Sequence, residues 1–337
     1  MTTKIARTRR WLLLRFLAQM TACVMIFLVK TASASPADDR AAFIRLAVGE
    51  SLPYVEQSHP SIRAGTPLPI ASLGKTLTAV AVLRAVEHGI RELNDPVSNH
   101  VPATVSRWFS GFPGMRLHHL LRMTSGLVDY YTDDWIDAAL SDPSGFPRQH
   151  AALHAASEFP LQFAPGSAFD YSNTNYVLLG LILETSLGKS YATIIEEEIL
   201  VRADMADSFV FGSRPLPSSF AANHEDRALV RRYYGGSGLG DGGIFASARD
   251  VARFYEALFI DRVLLSDAAL AVMLADPLNA GYGMGLEVEG QIVGHSGGDL
   301  GYAADVRMDR RRGVIAVMLA TSENADMSWP EDHLVGR

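Results

Sequence analysis

One change of hydrophobic period constrains this chain more than any other feature. From about Ser72 to Phe259 its apolar residues recur three and four apart, and after Asn279 they alternate. Spacing of three and four marks helices with one buried face, whereas alternation marks strands. Leu77, Val80, Ala81, Leu83 and Val86 form the buried side of a helix predicted from Ser72 to about His88, with Gly89 as its terminator. "TNYVLLGLILETSLGKS" reads as an apolar helix. "SARDVARFYEALF" opens with Ser247 and Asp250 at capping spacing. Past Asn279, "GYGMGLEVEGQIVGHSGG" breaks at Glu289-Gly290 like a hairpin, and "GYAADVRMDRRRGVIAVMLATS" reads as another. Residues 36–50 read as helical, and residues 51–70 as a turn-rich loop. The expectation is a helical lobe set within a chain that finishes in an antiparallel sheet.

The first residues follow a different logic. Lys4, Arg7, Arg9 and Arg10 precede an apolar run from about Phe16 to Val29, then Ala32-Ser33-Ala34. This reads as a signal peptide, residues 1–34, cleaved after Ala34. Arg9-Arg10 before "WLLL" also fits a twin-arginine signal, so the expected location is periplasmic or secreted. Cys23, the only cysteine, lies inside that apolar run. The mature chain therefore has no disulfide, thiolate nucleophile or Cys-ligated zinc. A net charge of −7 with no basic stripe argues against nucleic acid. Membrane contact is expected only through an uncleaved leader. Residues 35–337 are expected to form one domain, with a helical lobe over about 76–240 and an α/β lobe from about 35–75 and 241–337.

Ser-x-x-Lys occurs twice, as Ser72–Lys75 and Ser186–Lys189. In the first copy the serine starts a helix, which puts both side chains on one face, near the positive helix terminus. In the second copy Gly188 ends its helix, so Lys189 loses its angular relation to Ser186. The first copy is the candidate nucleophile. A capped helix with a surface lysine is the plain alternative, and partners elsewhere decide against it. "FDYSNTNY" supplies Tyr171 and Asn173, and "VGHSGGDLGY" supplies His295, Ser296, Gly297 and Gly298.

In that order, Ser-x-x-Lys, Tyr-x-Asn and His-Ser-Gly, the chain resembles the serine β-lactamase and penicillin-binding family. The resemblance is to the branch of class C β-lactamases, D-alanyl-D-alanine carboxypeptidases and related esterases. "LLRMTSGL", "GGIFASARDVARF" and "GYGMGL" extend it across about Ile70 to Asn324. It implies an α/β (α+β), β-lactamase/transpeptidase-like fold, an antiparallel sheet flanked by helices plus an all-helical lobe. It also implies an exported serine hydrolase of amide or ester bonds, without metal or organic cofactor, acting on a small-molecule or peptide substrate. Ser72 would attack, Tyr171 would be general base and then acid with Lys75 beside it, and Asn173 would bond Lys75 and substrate. The N–H groups of Ser72 and Gly298 would form the oxyanion hole, while His295, Ser296 and Gly297 bind substrate.

Rival motifs are weaker. "GHSGG" also spells a nucleophile elbow, but strand alternation follows it and only His333 lies downstream. "GLGDGG" (Gly238–Gly243) lacks a βαβ setting and reads as a loop on the active-site rim, and His150 with His154 as helix-surface histidines. Three departures from the family pattern stand out. No hairpin is legible before Ser72, and "MSWPEDHLVGR" is too short and polar for a closing helix, so the sheet is expected to be truncated. Glu287 stands where carboxypeptidases have a basic residue, which favours neutral esters or amides. A penicillin-binding or sensor-like protein with impaired turnover is the alternative, resting on the missing sheet elements.

Overall fold

The computed structural model describes residues 41–47, 54–57, 62–142, 148–217, 227–236, 238–322 and 325–334. All fall within one compact unit, Asp39–Arg337. The predicted signal peptide, residues 1–34, lies outside the described residues.

Among the described residues, one sheet has the order β2-β1-β9-β8-β7-β6, with every neighbouring pair antiparallel. Its strands are β1 (Ala41–Ala47), β2 (Tyr54–Gln57), β6 (Glu287–Glu289), β7 (Ile292–Asp299), β8 (Tyr302–Asp309) and β9 (Val314–Ala320). A small sheet, β3-β5-β4, joins β3 (Leu68–Pro69), β4 (Phe209–Val210) and β5 (Ile244–Ala246). Helices come between and after: α1 (Gly74–Glu87), α2 (Ala103–Trp108), α3 (Leu117–Leu121), α4 (Asp133–Ser141), α5 (Arg148–Ser157), α6 (Asn173–Leu187), α7 (Tyr191–Ile195), α8 (Arg227–Tyr234), α9 (Ala248–Phe259), α10 (Asp267–Leu274) and α11 (Trp329–Leu334).

The hairpin expected to be missing is present. Residues 41–47, read from sequence as helical, instead pair along their whole length with β9, from Ala41 opposite Ala320 to Ala47 opposite Val314, and β2 pairs outside them. Alanine and leucine favour helix locally, but seven residues of ladder offered by a distant strand outweigh that weak preference. The closing helix is also present, as α11. On β9, Ile315, Val317 and Leu319 join the main core, while Val314 and Ala316 cluster with Leu334 on the other side. Met318 and Ala320 cluster with Ala325. Both faces of β9 are buried, so its apolar face is not left bare.

A second correction concerns α1. It is buried on every side from Gly74 to Ala85 rather than along one stripe. Its polar side chains are compatible with this because each finds a partner. Thr76 donates to the Gly285 carbonyl at 2.7 Å, and Thr78 to the Gly240 carbonyl at 2.6 Å. Arg84 reaches Glu198 and the Leu264 carbonyl. Thus α1 packs against α6 and α7, while the turn that leads into it, Ala71–Leu73, packs against β7 and β8. The residue at its entrance is held from both sides.

Candidate active site

Ser72 sits in a 3-10 turn, Ala71–Leu73, that runs directly into α1. Ala71 takes a positive φ of 46°, a conformation that non-glycine residues seldom adopt, so the chain turns sharply just before the serine. Strand β7 braces this turn. A Cβ added at Gly297 would stand 2.5 Å from the Ile70 carbonyl oxygen and 2.9 Å from the Ser72 nitrogen. Only a residue without a side chain fits there.

Lys75 follows one helical turn later and is fully buried. Its Nζ donates to Ser72 Oγ at 2.9 Å and to the Asp241 carbonyl at 2.6 Å. It also stands 5.2 Å from the centre of the Tyr171 ring and 6.0 Å from that of Tyr176. Ser72 and Lys75, one helical turn apart, are therefore grouped in space with Tyr171, which is distant in sequence. The second SLGK is a helix end. Gly188 caps α6 with φ 63°, and Lys189 pairs with exposed Glu197.

Asn173 departs from expectation. Rather than bonding Lys75, its Nδ2 donates to Asp129 Oδ2 at 3.0 Å and its backbone N–H to Asp129 Oδ1 at 3.1 Å. Asp129 thereby caps the start of α6 from another segment. Burial pushes its carboxyl up to about 6, and its hydrogen bonds and nearby Lys75 oppose the rise. Sequence reading missed Asp129, which lies in an unpatterned loop with no local signal. It also missed Asp241, whose carbonyl holds Lys75 and whose carboxylate accepts from Tyr130 at 2.6 Å. The glycine-rich stretch 238–243 around Asp241 was the available clue, and it does form the rim.

His295 is buried. Its Nδ1 lies 2.6 Å from the Ser296 carbonyl, an obligate acceptor, so Nδ1 carries the proton. Nε2 then accepts from the Tyr282 hydroxyl at 3.1 Å. Burial pushes the ring down to about 4, against the pull of Glu287, and the imidazole is neutral at pH 7. The Ser296 hydroxyl and N–H both donate to Glu287 Oε1, at 3.0 and 3.2 Å. Ser296 lies mid-strand in an antiparallel ladder, as the rejection of a nucleophile elbow requires. His150 and His154 stand edge-on to Trp108 on α5.

Beside Ser72 opens a cleft. Asn173, Asp241, Gly298 and Asp299 line it, as do the aromatic residues Tyr130, Tyr131 and Tyr233. Gly298 and Ser72, the expected oxyanion pair, both face this space. Among the described residues no group of three or more His, Cys, Asp or Glu is placed to hold a metal ion.

Comparisons with known proteins agree with this geometry. A family model described as Beta-lactamase matches residues 51–336. Penicillin-binding protein 4* of Bacillus subtilis (strain 168) is 31% identical over 263 residues, 69% of this chain and 56% of that protein. The chain thus spans little more than half the length of that curated relative. Among solved structures, a penicillin-binding protein from Bacillus halodurans superposes with a TM-score of 0.74 at 24% identity, over 87% of this chain and 94% of that one. The D-amino acid amidase of Ochrobactrum anthropi SV3 gives 0.70 at 23% identity, over 88% and 94%. With its Ser72 turn, buried lysine and antiparallel sheet in this arrangement, the chain belongs to the beta-lactamase family.

Proposed function

We propose that this protein is an exported serine hydrolase that cleaves amide or ester bonds through an acyl-enzyme on Ser72. The observation that carries the reading is the 2.9 Å hydrogen bond from the buried Lys75 ammonium to Ser72 Oγ. A cation there stabilises the developing alkoxide, and burial strengthens its field. Because Lys75 is already a donor to Ser72, the serine proton goes to the Tyr171 oxygen, which receives it as a phenolate beside the Lys75 cation and so becomes the phenol. The Ser72 oxygen bonds the substrate carbonyl carbon, and the oxyanion turns to the N–H groups of Ser72 and Gly298. As the bond to the leaving group breaks, Tyr171 returns the proton to it. Water then attacks the ester on Ser72 by the same route in reverse. The solved relative named as a D-amino acid amidase supports amides as one substrate class. The sensor-like alternative loses its basis, since the hairpin β1–β2 and helix α11 are in place.

The test pairs a p-nitrophenyl ester with a fluorescent penicillin, on wild type and Ser72→Ala. Steady turnover and a transient mass adduct on Ser72 in the wild type alone are expected. Turnover that survives Ser72→Ala would refute the proposal, as would a permanent label with no turnover. Export rests on the leader residues Arg9 and Arg10. Recovery of the full-length chain only from the cytoplasmic fraction of its host would refute that part.

A further inference from the structure

Asp299 ends β7 two residues beyond Gly297, the residue that meets the Ser72 turn. Alternation along a strand puts these two on one face, so Asp299 is turned to the Ser72 side of the sheet and lines the cleft there. At about 3.3 Å per residue it stands roughly 7 Å further along the strand than Gly297. Both its main chain and its side chain are held. The Asp299 carbonyl accepts from the Tyr234 hydroxyl at 2.9 Å, and Oδ1 accepts from the Tyr131 hydroxyl. Burial, and then the charge of Asp299, push the Tyr131 hydroxyl up, so it keeps its proton and donates. Tyr131 is fixed in turn, with its N–H on Asp129 Oδ1 at 3.2 Å and its ring 5.6 Å from that of Trp135.

The other charges around the cleft are engaged within the fold. Buried Arg148 donates to the Tyr233 carbonyl in the last turn of α8 and lies 4.0 Å from the centre of the Tyr233 ring. A cation there answers the negative end of the helix. Asp241 accepts from Tyr130, and Lys75 and Arg148 both oppose the rise that burial gives its carboxyl. Two carboxylates, Asp241 and Asp299, against the single guanidinium of Arg148 leave the cleft lining net negative. Tyr131 and Tyr233, both within the field of Asp299, add electron-rich rings to which cations are drawn.

Tyr171 shows which half of a substrate fills the cleft. It is not among the lining residues; its ring lies 6.1 Å from that of Tyr282 and 6.3 Å from that of His295. In the proposed mechanism Tyr171 protonates the leaving group, which therefore departs on that side, and the acyl half lies in the cleft. We propose that Asp299, held by Tyr131, selects acyl groups that carry a positive charge at their far end. The selection rests on the Ser72 acyl-enzyme reading and names its substrate class: amides and esters of acids with an ammonium group several carbons from the carbonyl.

The experiment compares p-nitrophenyl 6-aminohexanoate with p-nitrophenyl heptanoate at pH 7, each corrected for spontaneous loss. The acyl chains have equal length and differ only in an ammonium against a methyl group, since the amine carries its proton at this pH. In both, the Ser72 oxygen bonds the carbonyl carbon, and the bond to the p-nitrophenyl oxygen breaks with its electron pair going to that oxygen. The leaving group is shared, so the ratio of kcat/KM values reports the acyl half alone. The wild type is expected to favour the aminohexanoate by roughly tenfold or more, the effect of one nearby opposite charge. Asp299→Asn keeps an acceptor oxygen for Tyr131 but removes the charge, and should bring the ratio below about three. Tyr131→Phe removes the hydrogen bond but keeps the charge, and should lower Tm while retaining most of the preference. A wild-type ratio near one, or one favouring heptanoate, overturns the selection. So does a ratio unmoved by Asp299→Asn in a variant that melts like wild type. A ratio that falls as far in Tyr131→Phe overturns it too, because the contact would then brace the loop and not supply a charge. Where Asp299→Asn does not fold, salt decides on the unaltered protein. At about 1 M the screening length falls to about 3 Å and the ratio should shrink; an unmoved ratio overturns the selection. Turnover of neither ester overturns the hydrolase reading itself, and the selection with it.

Discussion

Replacing Gly297 by alanine probes the joint between the sheet and the Ser72 turn. The added Cβ would meet the Ile70 carbonyl oxygen at 2.5 Å, the Ser72 nitrogen at 2.9 Å and the Leu73 nitrogen at 3.1 Å, whereas ordinary contact begins at 3.4 Å. All three are backbone atoms, and none can rotate away as a side-chain tip would. Either β7 or the turn must retreat by several tenths of an ångström. Overpacking of this kind costs about 1–3 kcal/mol, a fall in Tm of roughly 2–12 °C for a domain of this size. Activity should suffer more on the proposed mechanism, because the retreat moves Ser72 relative to Gly298, whose N–H is proposed to receive the oxyanion. A displacement approaching 1 Å lowers the rate by about 10²-fold. The assay is p-nitrophenyl ester kcat/KM alongside thermal melting. Gly298→Ala is the stability comparison, since its nearest contact is the Tyr302 carbonyl at 3.9 Å and its Tm should stay close to wild type. A Gly297→Ala protein with wild-type Tm and kcat/KM within a factor of about three would refute the contact and the reasoning built on it.

Thr78→Val removes a hydroxyl that serves both the Gly240 carbonyl and Tyr191, at 2.6 and 2.8 Å, and leaves buried polar atoms unpaired. It should lower stability by about 1–3 kcal/mol in urea melts, with no loss expected from a hydroxyl that faced water. His295 gives a pH signature. Burial holds its ring down to about 4 in the fold, against 6.5 unfolded. The unfolded chain thus binds the extra proton first as pH falls. Stability tied to this ring is complete above about 6.5 and drains away between there and about 4. The wild type minus His295→Gln difference in unfolding free energy should slope upward with pH across that window. A flat difference would show that the ring is not buried and neutral.

The motifs around Ser72, Tyr171 and His295 were legible because each is short and stands in a local context that advertises it. A proline-rich loop precedes one, an apolar helix follows the next, and a strand carries the third. Gly188 likewise announced a helix end, and Ser247 announced the start of α9, where its hydroxyl does accept from the Asp250 N–H. The β1–β2 hairpin was not legible. "AAFIRLA" carries helix-forming residues, and nothing nearby signals that β9, more than two hundred residues later, will pair with it. Helix α1 misled in another way, because partners distant in sequence satisfy its polar residues and make its full burial possible.

By itself, then, the order of residues determined which groups could do chemistry and which segments could become helix or strand. Those properties arise within a turn or two of backbone. Only the tertiary structure decided what each group faces. It put Asn173 on Asp129 instead of Lys75, seated Lys75 on the Asp241 carbonyl, and turned the Ser296 hydroxyl to Glu287. Hydrogen-bond partners and burial are set by atoms brought together from remote parts of the chain, and no local pattern encodes them.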